Sequence, residues 1–220
     1  PLVPTVGRYE TVVTLEALEG WLGRISAAEL VALDTETTSL DYMRAELVGI
    51  SLAVTAGEAA YIPLAHRYPG APDQLRRDTV LARLKPWLES TAPKVGHHLK
   101  YDTHIFANHG IELRGVVHDT MLESYVLNST ATRHDMDSVA ALYLGLETLK
   151  YEDVVGKGAK QITFDQVDLD TATHYSAEDA DVALRLHATL WPKLTAVPDL
   201  ERVYREIECA LVRVLQQMEY

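Results

Sequence analysis

The chain has 220 residues, 47% of them hydrophobic, with a formal net charge of −12. That length and apolar content suffice to bury one sizeable core, so one globular domain is expected. No apolar run approaches the roughly 20 residues that cross a bilayer, and the start lacks the basic-then-apolar order of a signal peptide, so a soluble, cytoplasmic monomer with no membrane partner is expected.

In chain order, residues 30–33 form an apolar run that ends in Asp34-Thr35-Glu36, which reads as a buried strand delivering acidic groups at its exit. Residues 47–54 and 59–64 follow as strands around the turn-like segment 55–58, suggesting a meander. A helix over about 78–89, a short strand at 94–96, a helix over 101–108 and a short strand at Val116-Val117 come next, and the remainder is mostly helical. Three strands followed by alternating helices and strands indicate an α/β domain with a mixed sheet. The final helix, from about Asp199, carries Val203, Ile207, Leu211, Val214 and Met218 on one face and reaches Tyr220 without a C-cap signal. Residues 1–198 are therefore read as the domain, and 199–220 as a helix expecting something to pack against, in a piece of a longer polypeptide.

Asp34 and Glu36 lie two apart on a strand, so both side chains leave one face about 6.6 Å apart along the backbone. Such a pair can share one ion, although by itself it describes a solvated turn at least as well. Tyr175 and Asp179, at i and i+4, share a helical stripe with Val182 and Leu186 and point to the core side, where a carboxylate needs a partner. Glu178 and Asp181 fall off that stripe and are expected to be solvated. Asp102 opens a helix, where it serves either the helix dipole or a site; Asp119 is expected to be an N-cap. The single cysteine, Cys209, has no partner for an internal disulfide and is read as a packing residue. The segment Gly156-Lys157-Gly158-Ala159-Lys160 is a basic loop and lacks the Gly-Lys-Ser/Thr ending of a phosphate-binding P-loop. A zinc site from His97, His98 and Asp102 is not supported, because neither a nearby cysteine nor a third catalytic-type ligand is evident.

Asp34-Thr35-Glu36-Thr37, Leu99-Lys100-Tyr101-Asp102 and Tyr175-Ser176-Ala177-Glu178-Asp179 resemble, in order and spacing, the three exonuclease motifs of family A DNA polymerases. Further stretches match too, among them Asp119-Thr120-Met121-Leu122-Glu123-Ser124-Tyr125 and Arg133-His134-Asp135-Met136-Asp137-Ser138, so that the likeness runs from about Tyr9 to Tyr220. The chain is similar to the proofreading domains of bacterial DNA polymerases I.

The resemblance implies a ribonuclease H-like fold, a mixed central sheet flanked by helices, and 3'-5' exonuclease activity on a single-stranded or frayed DNA 3' end, with a polymerase domain in the same parent chain. It implies two divalent ions, Mg²⁺ or Mn²⁺: Asp34, Glu36 and Asp179 would hold the first, and Asp34 would bridge to a second whose shell Asp102 joins through water. Tyr175 would orient the attacking water, Leu40 and Tyr151 would meet the terminal bases, and Arg133 a phosphate. His98 stands where the family commonly has asparagine and would donate to the terminal nucleotide. A ribonuclease D-like exoribonuclease and a catalytically inactive relative that keeps only the fold are the competing readings. The acidic charge opposes tight duplex binding unless bound cations meet the phosphates and another part of a larger protein supplies affinity.

Overall fold

The computed structural model describes residues 2–219; Pro1 and Tyr220, the residue at which the sequence reading ends the last helix, lie outside the described residues. Its strands are β1 (Val3–Pro4), β2 (Arg8–Thr11), β3 (Val31–Thr37), β4 (Leu47–Thr55), β5 (Glu58–Pro63), β6 (Lys94–Gly96), β7 (Val116–Asp119) and β8 (Leu146–Glu147). The central sheet has the order β2-β5-β4-β3-β6-β7. Pairing is antiparallel within the meander β3–β4–β5 and parallel at β2/β5, β3/β6 and β6/β7, which is the mixed sheet expected. The edge strand β2 and the helix that follows it are additions to the elements read from sequence.

Three helices cover one face: α1 (Leu15–Ala27), α2 (Arg77–Leu88) and α3 (Leu99–Asn108). α1 begins where Thr14 accepts from the Ala17 N–H, and it buries Leu18, Trp21 and Ile25 at helical spacing. Those residues join Val31 and Leu33 of β3, Ile50 and Leu52 of β4, and Ile105 and Phe106 of α3 in the larger core.

The other face belongs to α7 (Leu169–Thr195), reached through α4 (Thr120–Leu127), α5 (Met136–Leu144) and α6 (Tyr151–Val155). Its contact with the sheet is made of small residues: Ala177, Ala180 and Ala183 lie against Ala32, Ala53 and Ala59. Methyl groups on both sides let the helix approach the strands closely. The outer side of α7 is covered as well, because Val182, Leu186 and Leu190 pack on Val139 and Ala140 of α5.

This double cover corrects the expectation for Glu178 and Asp181, which are 2% and 0% exposed. A helix lying in solvent has a polar side; α7 has elements packed around most of its circumference. Glu178 accepts from the Leu149 N–H at 2.6 Å, while Asp181 accepts from the Tyr9 hydroxyl, the Gly57 N–H and the Arg185 guanidinium at 2.7–3.0 Å. The chain ends in α8 (Pro198–Val203), a π-helical turn at Tyr204–Glu208, and α9 (Cys209–Glu219). The expected single helix is thus interrupted: the wider π turn seats Tyr204 in the interior and leaves Ile207, Leu211, Val214, Leu215 and Met218 exposed. Cys209 is partly buried, and residues 158–160 form one exposed 3₁₀ turn.

Candidate active site

Alternation along β3 distributes the acidic motif over both sheet faces. Ala32, Asp34 and Glu36 share the α7 face, whereas Val31, Leu33 and Thr35 share the α3 face. Asp34 and Glu36 therefore meet Asp179 of α7, and one carboxylate oxygen from each of the three lies within 4.8 Å of the other two. Ser176, one turn before Asp179, donates to Glu36 Oε1 at 2.8 Å. A register shift in the β3–β4 pairing after Glu36 ends the regular ladder at this point, a device that commonly re-aims side chains beside sites. Opposite Glu36 is Gly49, where a Cβ would stand 2.2 Å from the hydroxyl of the buried Tyr61, so only glycine lets that ring lie across β4.

Asp102 reaches the same sheet end from the other face. It is 3% exposed and accepts from Thr35 Oγ1 at 2.6 Å, standing outside the three-carboxylate group but close enough for its charge to act on Asp34. Its helix starts abruptly. Gly96 permits contact too tight for a side chain, because a Cβ would lie 2.7 Å from the Leu33 carbonyl oxygen, and His98 adopts a left-handed conformation with φ of 65°. Asp119 fixes that start: its Oδ1 accepts from the N–H groups of His98 and Met121, both at 3.0 Å, and its Oδ2 from Leu99 at 2.8 Å. The expected N-cap of α4 thus also caps α3.

The electrostatics are those of crowded anions. Burial, and then the charges of Asp102 and Asp179, hold the Asp34 carboxyl well above the usual carboxylate range. Burial and Asp34 do the same to Glu36 against the opposing Ser176 hydrogen bond, and burial and Glu36 do it to Asp179. Burial lifts Asp102 to about 7, with the Thr35 hydrogen bond opposing. Burial and the nearby carboxylates, Asp179 first among them, raise the Tyr175 phenol well above its ordinary value, so it stays a neutral hydroxyl. Among the described residues, no Lys or Arg forms an ion pair with any of these four carboxylates.

The other expected site residues lie around this group. Leu40 is 92% exposed and, with His98, Asp34 and Asp102, lines a cavity of about 430 Å³. The Tyr101 hydroxyl donates to the Ser39 carbonyl and is hydrogen-bonded to Thr37, tethering the segment that carries Leu40. Tyr151 is half-exposed, with its ring centroid 6.1 Å from that of Tyr175. Arg133 stands apart on an exposed loop, paired with Asp135 at 3.1 Å. His97 is engaged at both ring nitrogens, by Thr120 Oγ1 and the His134 carbonyl. Ser176, Thr35 and the second role of Asp119 were not read from the sequence. Ser176 lies inside the matched motif and Thr35 between its two acids, yet only the packing of α7 and α3 on opposite faces reveals their partners. A larger cavity of about 630 Å³, beside Gly110, Cys209 and Arg213, shares no lining residue with this site.

Comparison with known sequences decides the family. The 3'-5' exonuclease family matches residues 9–195. The chain belongs to this family, the exonuclease domain of bacterial DNA polymerase I. This exonuclease domain is 57% identical over 214 residues to the DNA polymerase I of Pseudomonas aeruginosa and 44% identical over 229 residues to that of Rhizobium leguminosarum, in each case over 96% of the chain. It spans only 23% and 22% of those relatives. Among solved structures, the POL domain of Pol1 from M. smegmatis, in complex with DNA primer-template and dNTP, matches with a TM-score of 0.74 at 21% identity, covering 96% of this chain and 32% of that one. Trypanosoma brucei RNase D matches with 0.66 at 17% identity, over 83% and 64% of the two chains. At such identities these likenesses concern the fold, which is ribonuclease H-like with helices on both faces of the mixed sheet. No described helix is long and apolar enough to cross a membrane.

Proposed function

We propose that this exonuclease domain hydrolyses the terminal phosphodiester at the 3' end of DNA and releases deoxynucleoside monophosphates, as the cytoplasmic proofreading part of a larger DNA polymerase, with two divalent ions, Mg²⁺ or Mn²⁺. One observation carries this reading: three carboxylates converge within 4.8 Å, with no cationic side chain among the described residues paired to them and a neutral tyrosine hydroxyl at their edge. Crowded anions of this kind need compensating charge, and an all-oxygen donor set fits hard divalent cations. Asp34, Glu36 and Asp179 would hold the first ion, and Asp34, with Asp102 through water, would hold the second. Bound there, the ions supply positive charge to the phosphate and lower the pKa of water.

The remaining work falls to the chain. Tyr175, one turn before Asp179, orients the attacking water, and Ser176 keeps Glu36 in place. Leu40 and Tyr151 offer exposed apolar surface on which terminal bases stack without sequence preference, worth about 1–3 kcal/mol per base. His98 lines the cavity with Asp34 and donates to the terminal nucleotide, while Arg133 reaches a phosphate from its loop. A polymerase domain in the same parent chain would supply general DNA affinity. The exposed apolar side chains of α9 suit such a neighbour.

The test is degradation of one single strand, as DNA and as RNA, labelled at either end, with Mn²⁺ or EDTA. Mononucleotides should leave the 3' end of DNA, EDTA should stop this, and RNA should be the poorer substrate. Faster loss of RNA, or of a 5' label, would overturn the proposal.

A further inference from the structure

A second convergence of ligating side chains lies apart from the acidic group. His118 of β7, Glu123 of α4 and His187 of α7 each bring one donor atom within 4.8 Å of the other two. His118 Nδ1 stands 3.1 Å and His187 Nδ1 2.8 Å from the same Glu123 Oε1, and the two imidazole centroids are 3.9 Å apart. Donors bound about 2.0 Å from a tetrahedral ion are separated by roughly 3.3 Å, so little adjustment is needed to admit one. Glu123 is fully buried, and its Oε2 has no hydrogen-bond partner. A carboxylate oxygen left in that state is costly, and the two histidines contact only its twin. Trp191 stands edge-on to His118 at 4.5 Å and Tyr204 packs on Trp191 at 5.4 Å, while the His118 and His187 side chains keep 13% and 11% of their surface, which leaves the fourth tetrahedral position to water.

We propose that His118, Glu123 and His187 bind one divalent transition-metal ion of the zinc class, which clamps β7 and α4 to α7. Each imidazole would offer Nδ1 to the ion with its remaining proton on Nε2, since a ligating histidine must be free of a proton at the donor nitrogen. The Glu123 carboxylate supplies the third protein ligand and brings its unpartnered oxygen to the cation. Two nitrogens and a carboxylate suit zinc, whereas the all-oxygen acidic group suits Mg²⁺ or Mn²⁺, so the two sites sort metals by donor type. The clamp is structural and lies eight residues from Asp179 along α7, about 12 Å of helix. It also adjoins Asp119, which caps the helix of Asp102.

Co²⁺ and Zn²⁺ titration of the whole chain carrying Asp34→Ala and Asp179→Ala tests this without interference from the acidic group. One equivalent of Co²⁺ should bind and give the intense visible absorption of tetrahedral coordination, and Zn²⁺ should displace it with a Kd of about 10 µM or tighter. Adding His118→Phe, which keeps an aromatic ring, should weaken binding at least about 10-fold and abolish the absorption. Should that variant fail to fold, Glu123→Gln, with the same shape, carries the same comparison. A Kd above 10 µM, an octahedral spectrum, or unchanged affinity in these variants would overturn the site.

Discussion

Thr35 Oγ1 donates to Asp102 Oδ1 at 2.6 Å, tying the middle residue of the strand motif to the helix on the face opposite Asp34 and Glu36. This hydrogen bond holds a buried carboxylate at the edge of the acidic group. Thr35→Val keeps the shape and removes the donor, so it should slow 3'-end hydrolysis about 10- to 100-fold, the range for groups that orient a site's ligands. Single-turnover cleavage with saturating Mn²⁺ measures it. Parental rates would show that Asp102 needs no such support.

Asp34→Ala should abolish hydrolysis. Asp34 is the carboxylate whose range spans both Asp179 and Asp102, so its loss disturbs both proposed ion positions together. More than a trace of 3'-end release from a labelled single strand would contradict the bridging role.

Tyr175 and Asp179 lie one turn apart and should separate cleanly. Asp179→Ala should lose hydrolysis and tight Mn²⁺ binding. In Tyr175→Phe the ring still packs near Phe164, 5.9 Å away, so Mn²⁺ affinity should hold while the rate falls about 10²-fold. Calorimetric Mn²⁺ titration beside single-turnover kinetics distinguishes the two; equal metal loss in both variants would reassign the tyrosine.

Without divalent ions, the folded state favours protonated Asp34, Glu36, Asp102 and Asp179, since the pKa of each is raised. Their contribution to stability is therefore fully present below the ordinary carboxylate range near 4 and is lost as pH rises, through about 7 for Asp102. In EDTA, the Tm of the parent should fall between pH 5 and 8 relative to Asp102→Asn, and Mn²⁺ should raise the parent's Tm most at the upper end. A Tm difference that does not change with pH would show that Asp102 does not titrate in this window.

The net charge of −12 opposes general attraction to duplex DNA. Affinity should reside in a few nucleotides at a free 3' end. Fluorescence anisotropy in Ca²⁺ should show blunt duplex binding far more weakly than a short single strand; equal affinities would contradict this.

Much of the sheet was legible because it rests on local pattern: the continuous apolar runs of β3, β4 and β5 leave that imprint in the chain. Asp34, Glu36, Asp102, Tyr175 and Asp179 were legible because motif spacing carries them. Less visible were β2, whose Arg8-Tyr9-Glu10-Thr11 lacks a continuous apolar run, and the burial of Glu178 and Asp181, which no helical stripe announces. The two histidines and Glu123 were equally hidden, since 64 residues separate Glu123 from His187.

By itself the sequence determined the order of elements, the acidic residues at the exit of β3 and the family to which the chain belongs, because these are properties of neighbouring residues and their spacing. Tertiary structure decided which sheet face each residue joins and what it meets there. The alanine contact brings α7 against the strands, so Asp179 and Ser176 arrive at Asp34 and Glu36, while α3 places Asp102 on Thr35. Those meetings join residues 67 to 145 positions apart, and only the packing of helices on opposite faces of one sheet selects them.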